Sequence, residues 1–387
     1  MASRLMLLNF AALVFMSTIF LLNPILPIYL YRDLGASEQE VGLIIPLTFL
    51  VSAFLRIPCS MLIRRNILQI LLFGLGLNAA SIAGYGLSWN PSSFSIFRAI
   101  HGISTAVSLV VFLTAVEFLA NPGELEKAVA GYTASLALGF WLGPLIGVFL
   151  RGLTELRVVL LATALIAAIP VAAVILLLRD LRGAGEAWRL EVERQSIKLV
   201  LKRPNILLAL TYLSFSLAAG AVTAYGPLKA KLFFRLEDQL VILLFLFYYV
   251  TAFAARIILL KSPLLARLGL GSLTRIALAS SILGVLLIGL AEDLPGFNLG
   301  LTLMGFAHGL VFPLTASAVA QATPRKQRVL GNSLHITAFD LGSLLGSTLV
   351  AILLAYTGLS NALALTCIFP ALGMVPASLS SSYIDRK

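Results

Sequence analysis

Cysteine is nearly missing from this sequence. Cys59 and Cys367 are its only two, and they lie far apart in separate apolar runs. One distant pair builds neither a disulfide framework nor a cysteine-based metal site. Charge is scarce too. Asp, Glu, Lys and Arg make up 12% of the 387 residues, about half the share usual in soluble domains. No Walker motif is present, so ATP is not the expected energy source. Gly183-Ala-Gly185 has no βαβ unit around it and is not a dinucleotide fingerprint. Gly102-Ile-Ser104-Thr105 lacks the final glycine of an intramembrane serine-protease core. No nucleophile–base pair or metal cluster stands out, so neither an enzyme nor a bound cofactor is expected. Asn90 is followed by Pro91, which removes it as a glycosylation acceptor.

What the sequence does have is apolar residues, at 59%. A soluble chain of this size could not hide that much apolar side chain, so the bilayer must be its main solvent. A crossing helix needs about 20 mostly apolar residues. Counting such runs gives about twelve, from 5–31 through to 361–382. The first is too long for a signal-peptide core, has no obvious cleavage site, and is taken as the first crossing. Backbone polarity forces each crossing to be helical. A polar stretch at 179–204 contains Arg182, Glu186, Trp188, Arg189, Glu191, Glu193 and Arg194 and divides the crossings six and six. It is expected to be an amphipathic cytoplasmic linker. The organisation is then 1–178, linker 179–204, and 205–387.

The net charge of +11 would suggest nucleic acid in a soluble protein. Here Lys and Arg collect in loops on one side, and no nucleic-acid partner is expected. With both termini inside, inner loops hold Arg64, Arg65, Lys127, the linker cations, Lys261, Arg267, Arg275, Arg325, Lys326 and Arg328. Outer loops hold Arg32, Arg151, Arg157, Lys229, Lys231 and Arg235. This bias predicts a multi-pass protein of the cell membrane with both termini cytoplasmic. A monomer is expected.

The chain also repeats itself. Val51-Ser-Ala-Phe-Leu-Arg56-Ile57 matches Val250-Thr-Ala-Phe-Ala-Ala-Arg256-Ile257. Ala99-Ile-His101-Gly102 matches Phe306-Ala-His308-Gly309, and Gly143-Pro-Leu-Ile-Gly147 matches Gly342-Ser-Leu-Leu-Gly346. Three matches in one order, offset by about 200 residues, argue for two parallel halves.

On these motifs the chain resembles the major facilitator superfamily over nearly its whole length. Arg98-Ala-Ile-His-Gly102 looks like that family's Arg-x-x-x-Gly motif. Gly139-Phe-Trp-Leu-Gly143-Pro144-Leu-Ile-Gly147 is similar to the glycine–proline motif linked with export and antiport. Gly305-Phe-Ala-His-Gly-Leu-Val-Phe-Pro313, with Gly331 and Phe339-Asp-Leu-Gly342, is similar to spans ten and eleven of exporter-like members. Asn23-Pro24-Ile-Leu-Pro27 fits span one. The resemblance implies two parallel six-helix halves with a site near the membrane midplane, an arrangement already known for that superfamily. The loop after span two departs from pattern. Ser60-Met-Leu-Ile-Arg64-Arg65 places arginine where the family has an acid.

Charges inside a bilayer are costly and normally face a protein interior or a wet cavity. Asp340 is the only carboxylate expected near mid-membrane. It is either a proton site or half of an ion pair, with Arg98 or a histidine as partner. His101 and His308 sit at matched positions and are candidate proton relays or packing residues. Arg98 and Thr105 share a polar stripe on span four that is expected to face a cavity. Arg98 is either a substrate-attracting charge or a pin bonded to carbonyls. Asn23 and Tyr212 complete the expected substrate contacts. Arg56 and Arg256 are expected near inner helix ends, within reach of the interface, as gate anchors. Gly139, Gly143 and Gly147 form a small-residue ridge, and Pro144 permits a bend. They are read as a tight interface, either opening during transport or static.

The leading expectation is a proton-coupled exporter of small molecules working by alternating access. The alternative is a proton-independent facilitator of an organic anion or other small solute. A sensor on the same fold would be expected to carry an added soluble domain, and none is visible.

Overall fold

The computed structural model describes residues 2–62, 66–120, 125–183, 197–261, 268–324 and 327–384. Among these the secondary structure is helical, with no strand. Half of the expected linker, residues 184–196, lies outside the described residues. Eleven helical stretches are long and apolar enough to cross a bilayer. The last, Arg328–Ser380, has 53 residues, more than twice the ~20 that one crossing needs. At Gly358 φ is +73°, a left-handed backbone that glycine adopts without penalty. The chain reverses there. Ala364 then packs on Gly289, and Gly373 on Ser214. The last stretch is therefore two crossings, which makes twelve.

The crossings are α1 (Ala2–Ile28, continued by a wider turn at Tyr29–Asp33), α2 (Glu38–Met61), α3 (Ile67–Leu87) and α4 (Pro91–Leu119). Next come α5 (Leu125–Leu153), α6 (Leu156–Gly183), α7 (Arg203–Leu232) and α8 (Asp238–Lys261). The series ends with α9 (Leu270–Leu290), α10 (Leu294–Ala322), α11 (Arg328–Leu365, broken at Gly358) and α12 (Ile368–Ile384). An even number of crossings puts both chain ends on one face, called here the terminal face; the other is the distal face. Capping fixes the distal turns. Ser37 and Glu40 form a capping box at the start of α2, and Asn90 with Ser93 does the same for α4. Each satisfies amide groups that a helix start leaves open.

The repeats seen in the sequence pack in equivalent ways. Gly139 and Gly143 of α5 lie against the backbone of α1 at Leu13, Ser17 and Leu21, and Gly342 and Gly346 of α11 lie against that of α7 at Leu213 and Leu217. Gly102 of α4 meets the Thr48 carbonyl of α2, and Gly309 of α10 meets the Ala252 carbonyl of α8. Lipid tails give helices little hydrophobic reason to associate, so close backbone approach supplies the contact energy. The α4 and α7 crossings are the most enclosed, with 72% of their apolar windows buried against 33% for α5. The centre of the molecule is therefore reached from α4 and α7.

Pro46 shapes the distal half of α2. The helix breaks between Ile44 and Leu47. Proline has no N–H, so the Gly42 carbonyl four residues back loses its helical donor. Phe49 bonds the Pro46 carbonyl at 2.8 Å, which frees the carbonyl of Ile45 as well. Orphan carbonyls inside a membrane need partners. Ser347 of α11 donates its hydroxyl to Gly42 O at 2.9 Å, and Arg98 Nε of α4 donates to Ile45 O at 3.1 Å. One proline thus creates two acceptors, and one of them binds the second six crossings to the first.

Candidate functional site

Asp340 of α11 is 3% exposed. Its Oδ2 accepts from Arg56 Nη2 at 2.8 Å, from Arg56 Nε at 3.1 Å and from Ser52 Oγ at 2.8 Å. Arg56 and Ser52 belong to α2, so this ion pair crosses from one set of six helices to the other. Arg56 Nη1 also reaches the Thr105 carbonyl at 3.5 Å. Two expectations change here. The partner of Asp340 is neither Arg98 nor a histidine. And Arg56, 1% exposed, does not extend to the interface. Its side chain turns inward because a buried carboxylate satisfies it better than a long reach to water would.

Arg98 is the carbonyl-bonded pin. Nε and Nη2 both donate to Ile45 O, and Nη1 lies 3.4 Å from the Tyr85 hydroxyl. Thr48 of α2 returns a bond to Arg98 O at 2.9 Å. His101 Nδ1 is 2.8 Å from the same Tyr85 hydroxyl, and its Nε2 is buried without a partner. The Thr105 hydroxyl bonds Gly102 O on its own helix at 3.1 Å. The polar stripe of α4 therefore packs on α2 and α3 instead of facing an open cavity. The orphan carbonyl at Pro46 draws the arginine there.

His308 has different surroundings. Its Nδ1 is 3.0 Å from the hydroxyl of Tyr248 on α8. Its ring meets Phe140, Phe215, Tyr249 and Phe339 edge-on. The matched histidines thus differ in partner helix, α3 for His101 and α8 for His308. Asn23 of α1 donates to the Tyr249 hydroxyl at 2.9 Å. Phe20 stacks on Phe140 with ring centres 4.3 Å apart and meets Tyr249 at 4.8 Å. Tyr212 stacks on His335 at 4.4 Å and on Phe339 at 5.3 Å. Rings from α1, α5, α7, α8, α10 and α11 thus form one aromatic cluster where the two sets meet. Asn23, Tyr212 and His308 belong to it; Arg98, His101 and Thr105 do not.

Arg256 lies at the edge of this cluster. Its Cζ sits over the Phe140 ring at 4.4 Å and over the Phe312 ring at 5.9 Å. Its Nε is buried without a hydrogen-bond partner. Unlike Arg56 it is only half-buried, and the two rings hold its guanidinium carbon.

Residues 8–295 match the family model of the Major Facilitator Superfamily. The chain belongs to the major facilitator superfamily. Solved structures agree on the fold. The human organic anion transporter MFSD10 (TETRAN) is 18% identical with a TM-score of 0.68, over 97% of this chain and 99% of that one. A bacterial homolog of the human lysosomal transporter Spinster, inward-facing and occupied, is 14% identical with a TM-score of 0.74, over 98% and 97%. The nucleoside transporter NupG is 13% identical with a TM-score of 0.74, over 98% and 99%. No curated protein matches the sequence significantly. The chain is therefore a multi-pass membrane protein with a secondary-transporter fold.

A major facilitator protein moves its two sets of helices against each other, so the bonds between them are of interest. At the distal face Asp238, which opens α8, is 1% exposed and holds three cations. Arg32 of α1 binds its Oδ2, Arg151 of α5 binds the same oxygen at 3.0 Å, and Lys231 at the end of α7 lies 2.8 Å from Oδ1. Nearby, the Tyr225 hydroxyl donates to Glu38 O at 3.1 Å, and Gln239 Nε2 to Val148 O at 3.2 Å. The sequence reading missed this cluster, because counting Lys and Arg alone leaves a lone acid out of view. Gly139 and Gly143 join α5 to α1 within one set, while Gly147 faces Ile242 of α8 across the boundary.

Proposed function

We propose that this protein is a proton-coupled exporter of small molecules working by alternating access, with Asp340 as its proton site. The observation behind this reading is the Asp340–Arg56 pair at 2.8 Å between α11 and α2. A proton on Asp340 removes the negative charge that holds Arg56, and the two sets can then part at that level. Charge loss at one residue is thereby linked to the motion that exposes the centre. Residues 1–178 and 205–387 would be the rocking halves, joined by the linker at 179–204. The distribution of Lys and Arg supports a cell-membrane location with both termini in the cytoplasm. The terminal face would then be the cytoplasmic face, and the Asp238 cluster would close the outer mouth.

The test uses purified protein in liposomes loaded with a pH-sensitive dye. A panel of lipophilic drugs, sugars and organic anions is added to wild type and Asp340→Asn. Substrate-triggered proton movement in wild type, lost in the variant, is the expected result. Proton-coupled transport intact in Asp340→Asn would refute the assignment.

Arg256 favours a second reading, a proton-independent facilitator of an organic anion. It is a half-buried cation with a buried Nε, and among the described residues no carboxylate pairs with it. One structural neighbour is an organic anion transporter. Substrate uptake without proton movement in either protein would support this reading over the first.

A further inference from the structure

The internal repeat extends beyond its glycines. Gly139-Phe140-Trp141-Leu142-Gly143 aligns with Ala338-Phe339-Asp340-Leu341-Gly342. Arg256 matches Arg56 with an offset one residue longer. Each arginine lies on the second helix of its set, and each aligned segment lies on the fifth. In one seam, α2 against α11, the arginine meets Asp340. In the other, α8 against α5, the residue at the position of Asp340 is Trp141. Among the described residues the second arginine therefore lacks the carboxylate that the first one has.

The surroundings of Arg256 fit this vacancy. Phe140 and Phe312 lie over its guanidinium carbon and stabilise a cation through their ring faces. Rings do not accept the in-plane hydrogen bonds of a guanidinium, which has five donors in a fixed fork. Among the described residues none accepts from it, and Nε is buried and unbonded. The Trp141 indole N–H is also buried and unbonded, and that ring packs on Phe253 of α8 with centres 6.4 Å apart. Two unsatisfied donors thus occur in one seam. Buried donors without acceptors are costly, so these two point to an acceptor in the seam. Phe140 has two neighbours of interest. It carries Arg256 and stacks against Phe20, and so joins the charge to the aromatic cluster.

We propose that Arg256, with Trp141, is the head-group site for an organic anion whose flat apolar body lies against Phe140, at the edge of the aromatic cluster. A carboxylate fits best, since the guanidinium fork matches it with two parallel bonds. The anion takes the part that Asp340 plays in the other seam. This assignment deepens the anion reading above and rests on it for the identity of the cargo, but it concerns binding and needs no coupling mechanism.

Equilibrium binding to purified protein in zwitterionic nanodiscs tests it. The probes are naphthoate and benzoate and their neutral carboxamides, each measured with and without anionic phospholipid in the disc. Wild type should prefer each carboxylate over its amide by at least ~10-fold, since leaving a buried charge unpaired costs more than the 1.4 kcal/mol of one decade. Arg256→Gln should abolish that preference, and Arg256→Lys should keep part of it. Trp141→Asp places the missing carboxylate in the second seam. It should abolish carboxylate binding, with the size-exclusion profile unchanged. Competition by anionic phospholipid that removes all probe binding would assign the site to a lipid headgroup and overturn the proposal. So would equal affinity for acid and amide in wild type, or a preference that survives in Arg256→Gln. A protein that binds carboxylates through Arg256 yet moves no solute would keep the site and refute transport. One that transports with Arg256→Gln and unchanged anion preference would do the reverse.

Discussion

Removing Asp340 should destabilise the protein far more than removing Asp340 and Arg56 together. At 2.8 Å and an effective dielectric of about 20, the Coulomb attraction is about 6 kcal/mol before desolvation is subtracted. Arg56 is 1% exposed, so water cannot replace the lost partner. Ser52 and the Thr105 carbonyl remain, and neither carries charge. Asp340→Ala should therefore cost about 3–5 kcal/mol, the usual cost of stranding a buried charge. The double variant Arg56→Met/Asp340→Leu removes both charges and fills the space. It should return to within about 1 kcal/mol of wild type, or exceed it, because such replacements are often neutral or stabilising. Reversible unfolding in mixed micelles, titrated with a denaturing detergent, measures these variants together with Arg56→Met and Asp340→Leu, which close the cycle. A coupling near zero, or a loss below about 1 kcal/mol in Asp340→Ala, would refute the idea that this pair ties α2 to α11.

Two more tests follow from the packing and the distal face. In Gly143→Val the new Cβ would meet the Ser17 carbonyl and lie 2.7 Å from Leu21 N; backbone cannot yield, so unfolding in micelles should show a loss of about 1–3 kcal/mol. Gly147→Ala meets side chains and no backbone, at Ile242 (3.3 Å), Leu21 (3.4 Å) and Ile25 (3.8 Å), and should cost less than Gly143→Val. Asp238→Asn leaves Arg32, Arg151 and Lys231 without their shared anion. A cysteine placed at the buried Ile242, which faces Gly147 across the boundary, in a background free of Cys59 and Cys367, should then react with a bulky maleimide about tenfold faster, a shift of ~1.4 kcal/mol toward the open mouth. An unchanged rate would show that the cluster does not close this face.

Helices, repeat and family were legible because they rest on local and periodic signals. Length and apolarity define crossings, and the glycines at 102, 139, 143, 309, 342 and 346 mark equivalent contacts in both sets. The wiring of charges was not legible. Arg98 and Arg56 both lie on apolar helices, and sequence depth cannot say which one faces a carboxylate 284 positions away from Arg56. The decisive cause for Arg98 was Pro46, whose orphan carbonyls draw a donor from a neighbouring helix. That consequence was available in principle, since a proline in a crossing always frees an acceptor. The pairing of Trp141 with Asp340 across the repeat was also present in the sequence. Its meaning depended on seeing that the aligned arginine has no described carboxylate.

The ion pairs of the distal face gather on one side chain, beside the bonds from Tyr225 to Glu38 O and from Gln239 to Val148 O. Three helices from both sets direct cations to Asp238, and two of them share a single oxygen. A mouth held by many separate contacts can unzip one bond at a time, each step cheap. Here the steps are not separable, since Arg32, Arg151 and Lys231 lose the same anion when it moves or is hydrated. Breaking these ion pairs becomes an all-or-none event gathered at one residue. Its rate should then depend on temperature and on added salt as a single activated process.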